Sequence, residues 1–482
     1  MRCRVPGLVC CDLAMAWGRR ESAAEREAWL GAWCARIAGN DVSLPALLVL
    51  RSRNLSEHDI TRLCDAMVHA SHLRELNMAG THLSPTALEA LCSMLEKNTS
   101  IEVLNVGDET LGQPPVNLRR LAAAVSANTN SALRVLDLEN KGIDASGAQE
   151  LAALLMNESC TLKSLNLSRN PVMVDGFAGL LGAGTFSLQK LQLAHCEISG
   201  QISVADEGDE YGSLSTFQSS CPELVELDLR ANAIGTFPEW LWSRLVDFLC
   251  RRMPSLQRLW LAGCGLGEER VASLVIHEAD MLSRLVELDL DANVNAARGL
   301  MESWQSTSRE APVLAVLRVS GTELGDKDLL KLAARIGAGN CKQLRTLAIK
   351  HNVVSSAGLF ALLRAGQLHD IQAFHNPAIA LDMLELVARE QHEVDDALAN
   401  TSVRVLDLGA CGLGLSELDW LVNALCDDKL SNLIELGLGG NPGCSRDDEQ
   451  WACLLRKAEL ARPALHIVWE TSDQKHERVA LG

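Results

Sequence analysis

Apolar residues along this chain fall into a recurring phrase. Leucine-like residues stand at the first, fourth and sixth positions, a small polar residue at the ninth, and another apolar residue at the eleventh. LVELDLRANAI starts at Leu224 and LVELDLDANVN at Leu285. The same spacing is met by LRELNMAGTHL from Leu73, LKSLNLSRNPV from Leu162, LQRLWLAGCGL from Leu256, LAVLRVSGTEL from Leu314, LRTLAIKHNVV from Leu344 and VRVLDLGACGL from Val403. About fourteen such units follow one another, 24 to 36 residues apart, beginning with a weaker one over Pro45 to Leu55. Alternation within LxLxx sends the leucines to one side and the intervening residues to the other, which predicts a short strand. Between phrases the apolar spacing changes to i, i+3, i+4, i+7, the mark of a helix with one buried face. Ser84–Asn98, Ser146–Glu158 and Asp326–Gly339 are examples, with Ser or Asp where an N-cap belongs. Strands joined through helices by short links must run parallel, with right-handed crossovers.

The ninth position is usually Asn, Cys or Thr, as at Thr81, Asn170, Cys196, Asn232, Cys264, Asn293, Thr322, Asn352, Asn376, Cys411 and Asn441. A small polar side chain there can satisfy backbone groups where the chain leaves the strand; each orphaned group would cost about 1–3 kcal/mol. Arg53, Glu109 and Lys141 interrupt this series, so the early units are expected to be the least regular. No single unit can offset its own ordering entropy, so neighbours must stack and the ends must be capped. Glu21–Ala38 reads as an N-terminal capping helix, and Asp448–Ala461 followed by Ala464–Glu470 as a closing helix and strand. The division that follows is 1–44 for the N-terminal segment and cap, 45–463 for the repeats, and 464–482 for the closing strand and tail.

With these phrases in view, the chain resembles the ribonuclease-inhibitor-like class of leucine-rich-repeat proteins over roughly Pro45 to Glu470. The resemblance implies an α/β fold, a leucine-rich-repeat solenoid curved as a horseshoe. Its parallel β-sheet would line the concave face and its helices the convex face. It further implies a non-enzymatic scaffold that binds another protein in the concavity, possible settings being cytoskeletal, ciliary or regulatory assemblies. The class also contains Ran GTPase-activating proteins, which supplies the alternative function. Against that alternative, the chain ends in QKHERVALG (Gln474–Gly482) where such activators carry an acidic tail. Unit lengths here vary more than in the inhibitor itself, so the curvature is expected to be uneven.

Net charge of −18 argues against an electrostatic grip on nucleic acid or anionic lipid. No apolar run reaches the length of a membrane span. Sixteen cysteines scatter without CxxC pairs, which predicts free thiols in a reducing compartment, the cytoplasm. Mitochondrial import is the alternative, because Arg2, Arg4, Arg19 and Arg20 outweigh the single acid Asp12 in the first twenty residues. Gly437–Gly443 and Gly176–Thr185 look like phosphate-cradling loops but lack the strand–turn–helix order and any GxxxxGK[ST]. No catalytic, metal-binding or cofactor-binding set is evident; neither a cofactor nor a small-molecule substrate is expected. The acidic runs Asp206–Glu210, Glu393–Asp396 and Asp447–Gln450 read as solvated loops, with Ile202–Ser213 as a candidate projecting contact.

The outward positions of the strands carry about thirteen acids against about twelve Lys and Arg, so the negative charge lies elsewhere. Within that face one group stands out as a protein-binding candidate. The central outward residues of four successive phrases are Asp228, Trp260, Asp289 and Arg318, flanked by Glu226, Arg230, Arg258, Glu287 and Asp291. Trp and Arg ringed by charge is a composition found at interface hot spots. A partner presenting Lys or Arg over the indole is the expectation, unless a long loop covers Trp260. A second, weaker group is Lys350, His351, Phe374 and His375, whose two histidines share an offset in adjacent units.

Overall fold

The computed structural model describes residues 23–469 apart from 52–54, 158–159, 183, 185–186, 201–218, 278–280, 308–309 and 446. The arginine-rich leader, Arg53, the Asp206–Glu210 run and the Gln474–Gly482 tail therefore lie outside the described residues. Two compact units emerge, one ending at Asp228 and including Arg252–Ser255, the other formed by Leu229–Arg251 and everything from Leu256.

In the first unit β1 (Leu47–Val49), β2 (Glu75–Ala79), β3 (Val103–Gly107), β4 (Val135–Asp137), β5 (Ser164–Asn166), β6 (Lys190–Gln192) and β7 (Glu226–Asp228) pair in chain order, all parallel. The second unit repeats the plan with β8 (Arg258–Trp260), β9 (Glu287–Asp289), β10 (Val316–Arg318), β11 (Thr346–Ala348), β12 (Asp370–Gln372), β13 (Val405–Asp407), β14 (Glu435–Gly437) and β15 (His466–Val468). Register is locked by the leucines, as in Leu288 opposite Leu317 and Leu317 opposite Leu347, all buried. A slip of one residue would turn every such leucine outward. Within each unit helices pack against their neighbours, as Glu268–Ile276 does on Ala296–Thr307. The architecture is that of a leucine-rich-repeat solenoid within each unit.

The ninth-position series acts as expected. Asn293 donates to the carbonyls of Leu261 and Leu290, and its Oδ1 accepts from the amides of Cys264 and Leu266 at 2.9–3.0 Å. Asn170 and Asn352 repeat this four-bond arrangement. Each such asparagine stitches its own unit to the one before. Cysteine does less: Cys264 reaches one carbonyl of the preceding phrase, Leu229 O, at 3.1 Å. Lys141 takes the position without supplying such a bridge, and its own amide is served by Asn170. Burial lowers the Lys141 ammonium below the ordinary lysine range, opposed by Asp137, Asp108 and Glu139.

One element the repeat spacing did not expose is a left-handed residue just before the ninth position. Arg169, His195, Ala231, Ala292, His351, His375 and Ala410 all have φ between 51 and 61° there. Such a conformation costs a non-glycine residue about 1–2 kcal/mol, and the bonds of the following Asn or Cys offset it.

Helix ends largely follow the sequence reading. Ser84 caps Pro85–Leu95 through the amide of Ala87, and Asp448 caps Glu449–Ala461. The helix expected to start at Ser146 instead spans Ala145–Leu155 with Asp144 as cap, because Asp144 accepts from Gly147 N at 2.8 Å. Gly176 lies inside helix Met173–Gly182, so the first glycine-rich stretch is a packed helix and not a phosphate loop. Glu393–Asp396 corrects the loop expectation: it belongs to helix Gln391–Asn400, which buries Val394 while Glu393 and Asp395 pair with Arg364 and Lys429.

Candidate functional site

Outward residues on β8, β9 and β10 stand side by side. Trp260 is in register with Asp289, and Asp289 with Arg318. Asp228 occupies the equivalent place on β7 in the first unit, opposite Gln192. Of the nominated residues, Arg230, Arg258, Trp260, Glu287, Asp289, Asp291 and Arg318 thus belong to the second unit, and Glu226 and Asp228 to the first.

Alternation placed all of these toward solvent, and for the two aspartates the structure corrects that. Asp228 is 1% exposed and Asp289 5% exposed. Asp289 is also held by a local hydrogen bond. Asp289 Oδ1 accepts from the backbone amide of Asp291 at 3.0 Å, turning the carboxyl along the strand instead of outward. The same bond, from a central Asp or Asn to the amide two residues on, recurs at Asn77, Asp137, Asn166 and Asp407. The Asp of LDL is therefore a backbone-satisfying residue of the repeat, a role legible only once its recurrence is set against an unpaired amide.

Burial pushes the Asp289 carboxyl up to about 6, held back by the Asp291 amide and by Arg318 and Arg230, while Asp291 adds repulsion. The Asp291 carboxyl is also raised by burial, against a hydrogen bond from Ser320 N–H and the charges of Arg318 and Lys350. Arg318 Nε meets Glu287 Oε1 at 3.2 Å, and Glu226 is paired with Lys190 at 3.2 Å. Trp260 is half-buried with the Arg230 guanidinium 5.8 Å from the ring centroid. The cation that the sequence assigned to a partner is thus supplied by the chain itself. What this group offers is an indole held by Arg230, with Arg318 and Glu287 paired on the neighbouring strands.

In the second group the two histidine rings lie with centroids 4.7 Å apart, and Phe374 stands 5.7 Å from His351. Among the described residues no three His, Cys, Asp or Glu are grouped to hold a metal ion, and no helix is long and apolar enough to cross a membrane. The ninth-position thiols of Cys196 and Cys411 are buried and pushed up to about 12 and about 11 by that burial, as inert core groups would be.

The family described as Leucine Rich repeat matches residues 69–92 and 158–176. Ribonuclease inhibitor from Sus scrofa is 26% identical over 378 residues, covering 76% of this chain and 76% of that protein. NACHT, LRR and PYD domains-containing protein 12 from Mus musculus is 26% identical over 322 residues, which is 66% of this chain and 29% of that protein. Among solved structures, an internalin from Listeria monocytogenes superposes with a TM-score of 0.41 at 15% identity, over 71% of this chain and 94% of that one.

Proposed function

We propose, from the premise that this chain is a ribonuclease-inhibitor-like leucine-rich-repeat protein, that it is a non-enzymatic scaffold binding a partner protein through its strand face. Trp260 is the anchor of that contact, with cytoplasm as the setting. The observation that carries the reading is the placement of a half-exposed indole on the strand face, between buried Leu259 and Leu261 and braced by Arg230. A tryptophan so placed contributes little to the leucine core but offers a large, rigid contact area, the property of interface hot spots.

The test begins with affinity purification of the tagged chain and identification of the protein recovered. Trp260→Ala is then expected to weaken that complex by about 2 kcal/mol, roughly thirty-fold, while shifting Tm by no more than about 2 °C. Unchanged affinity beside a large loss of Tm would make Trp260 a packing residue and move the docking site elsewhere.

A further inference from the structure

Positive charge that forms no ion pair among the described residues gathers further along the second unit. Arg345, His369 and Arg404 directly precede β11, β12 and β13, and they are neighbours across the sheet: His369 N–H donates to Arg345 O and Arg404 N–H to His369 O, both at 2.8 Å. Their mutual influence is visible in His369, which burial and the two flanking arginines hold below the ordinary histidine range. Arg345 donates Nη1 to the carbonyls of Lys342 and Leu344 at 3.0 Å, which fixes its guanidinium at the sheet edge. At the other end of the same strands stand Lys350, His351 and His375, with Phe374 among them.

The two acids between these rows, Asp370 and Asp407, are half-buried and each is held by a group of this chain. Asp407 Oδ1 accepts from Gly409 N–H, and Asp370 Oδ2 accepts from Gln372 Nε2, both at 3.0 Å. The Asp291 carboxyl, which feels the Lys350 charge, is bonded to Ser320 N–H. Among the described residues no ion pair forms at Arg345, Arg404 or Lys350, in contrast to Arg318 with Glu287. Phe374 is seated by the bare backbone of Gly409, where an added Cβ would stand 2.7 Å from its ring. A fixed aromatic ring thus stands in the row that holds Lys350, with Arg345 and Arg404 at the other end of the strands, in a chain of net charge −18.

We propose that the strand face of β11–β13 docks an acidic polypeptide segment carrying an aromatic or aliphatic side chain. The carboxylates meet the Arg345–Arg404 and Lys350 rows, and the apolar side chain packs on Phe374 beside the two touching histidine rings. A nucleic-acid occupant fits less well: the patch spans three strands, on the order of 10 Å, too short to follow a continuous polyphosphate. The proposal rests on the protein-binding reading but names a different patch and a partner chemistry.

The experiment uses the full chain and a fluorescein-labelled peptide of sequence Glu-Glu-Phe-Glu-Glu, read by fluorescence anisotropy at low and high NaCl. A Lys-Lys-Phe-Lys-Lys peptide and a short oligothymidylate are the comparison probes. Expected are binding of the acidic peptide alone, weakening with salt, and at least about a tenfold loss in the Lys350→Glu/Arg404→Glu protein. Single Lys350→Gln and Arg404→Gln proteins, checked by thermal melting, should each lose less. Trp260→Ala should leave peptide binding intact, which separates this patch from the anchor proposed above. Absence of acidic-peptide binding, indifference to the charge changes, or equally tight oligothymidylate binding overturns the proposal without touching the Trp260 reading.

Discussion

Asp289 sits where its charge is disfavoured, and removing that charge should stabilise the protein. Its carboxyl is held up to about 6 chiefly by burial, against an ordinary 3.8. The folded state therefore binds a proton in the window between those values that the unfolded chain has already released. Stability contributed by Asp289 falls as pH rises from about 3.8 to about 6 and is fully lost above that. At 1.36 kcal/mol per tenfold change in the proton equilibrium, the ionised carboxylate costs about 3 kcal/mol near pH 7.5. The opposing attraction of Arg318 and Arg230 is already contained in that figure. Asp289→Asn retains an oxygen to accept the Asp291 amide and carries no charge, so it should raise stability at pH 7.5. Local relaxation and water access reduce the expected gain to about 1–2 kcal/mol. The gain should shrink toward zero near pH 4, where Asp289 is neutral in the folded parent. Urea midpoints across pH 4–8 read the global effect. Because repeat arrays need not unfold in one step, amide exchange at Leu261 and Leu290, which donate to Asp289 O and Arg318 O, reads the local one. Destabilisation by 1 kcal/mol or more at pH 7.5 would refute the reasoning: the carboxylate would then be held by its arginines more strongly than burial opposes it.

Asn293→Ala should orphan two carbonyls and two amides and cost about 3–4 kcal/mol, against about 1 kcal/mol for Cys264→Ala; equal urea midpoints would remove the ladder from the stability account. Gly299→Ala should destabilise by 2 kcal/mol or more, since an added Cβ would overlap the Glu268 carbonyl of the adjacent helix, and a neutral melting profile would contradict that approach. Among the described cysteines, Cys426 and Cys453 are exposed and should label first with a thiol reagent under native conditions. Cys64 and Cys92, pushed up to about 12 by burial, should stay silent until unfolding, and reductant should leave Tm unchanged; mass mapping and a melt check both.

The strands were legible because two constraints coincide in one phrase: leucines that must be buried, and a polar ninth residue that must satisfy backbone groups. Leu288, Leu317 and Leu347 fall in register as the spacing demands. Side-chain direction on the outward positions was less legible. Alternation gives the face of Asp289 but neither its bond to the amide of Asp291 nor its burial, and Asp407 makes the same bond while only half-buried. Trp260 was placed on the right strand, yet its bracing by Arg230 depends on a residue from the preceding phrase. The basic rows were harder still. Arg345, His369 and Arg404 each stand one residue before a strand, an offset that the motif treats as unconstrained, and only the pairing of β11–β13 assembles them.

The asparagine stitching has a consequence for how such a chain can change over generations. Asn170, Asn293 and Asn352 hold consecutive units together through backbone groups alone, next to the strands. The connecting segments take no part in those bonds. A unit can therefore carry a helix as short as Glu268–Ile276, as long as Glu239–Arg251, or the pair Ala378–Arg389 and Gln391–Asn400, without disturbing the stitches. Lengthening or deletion behind the sheet is then tolerated by inheritance, while the outward residues stay in file.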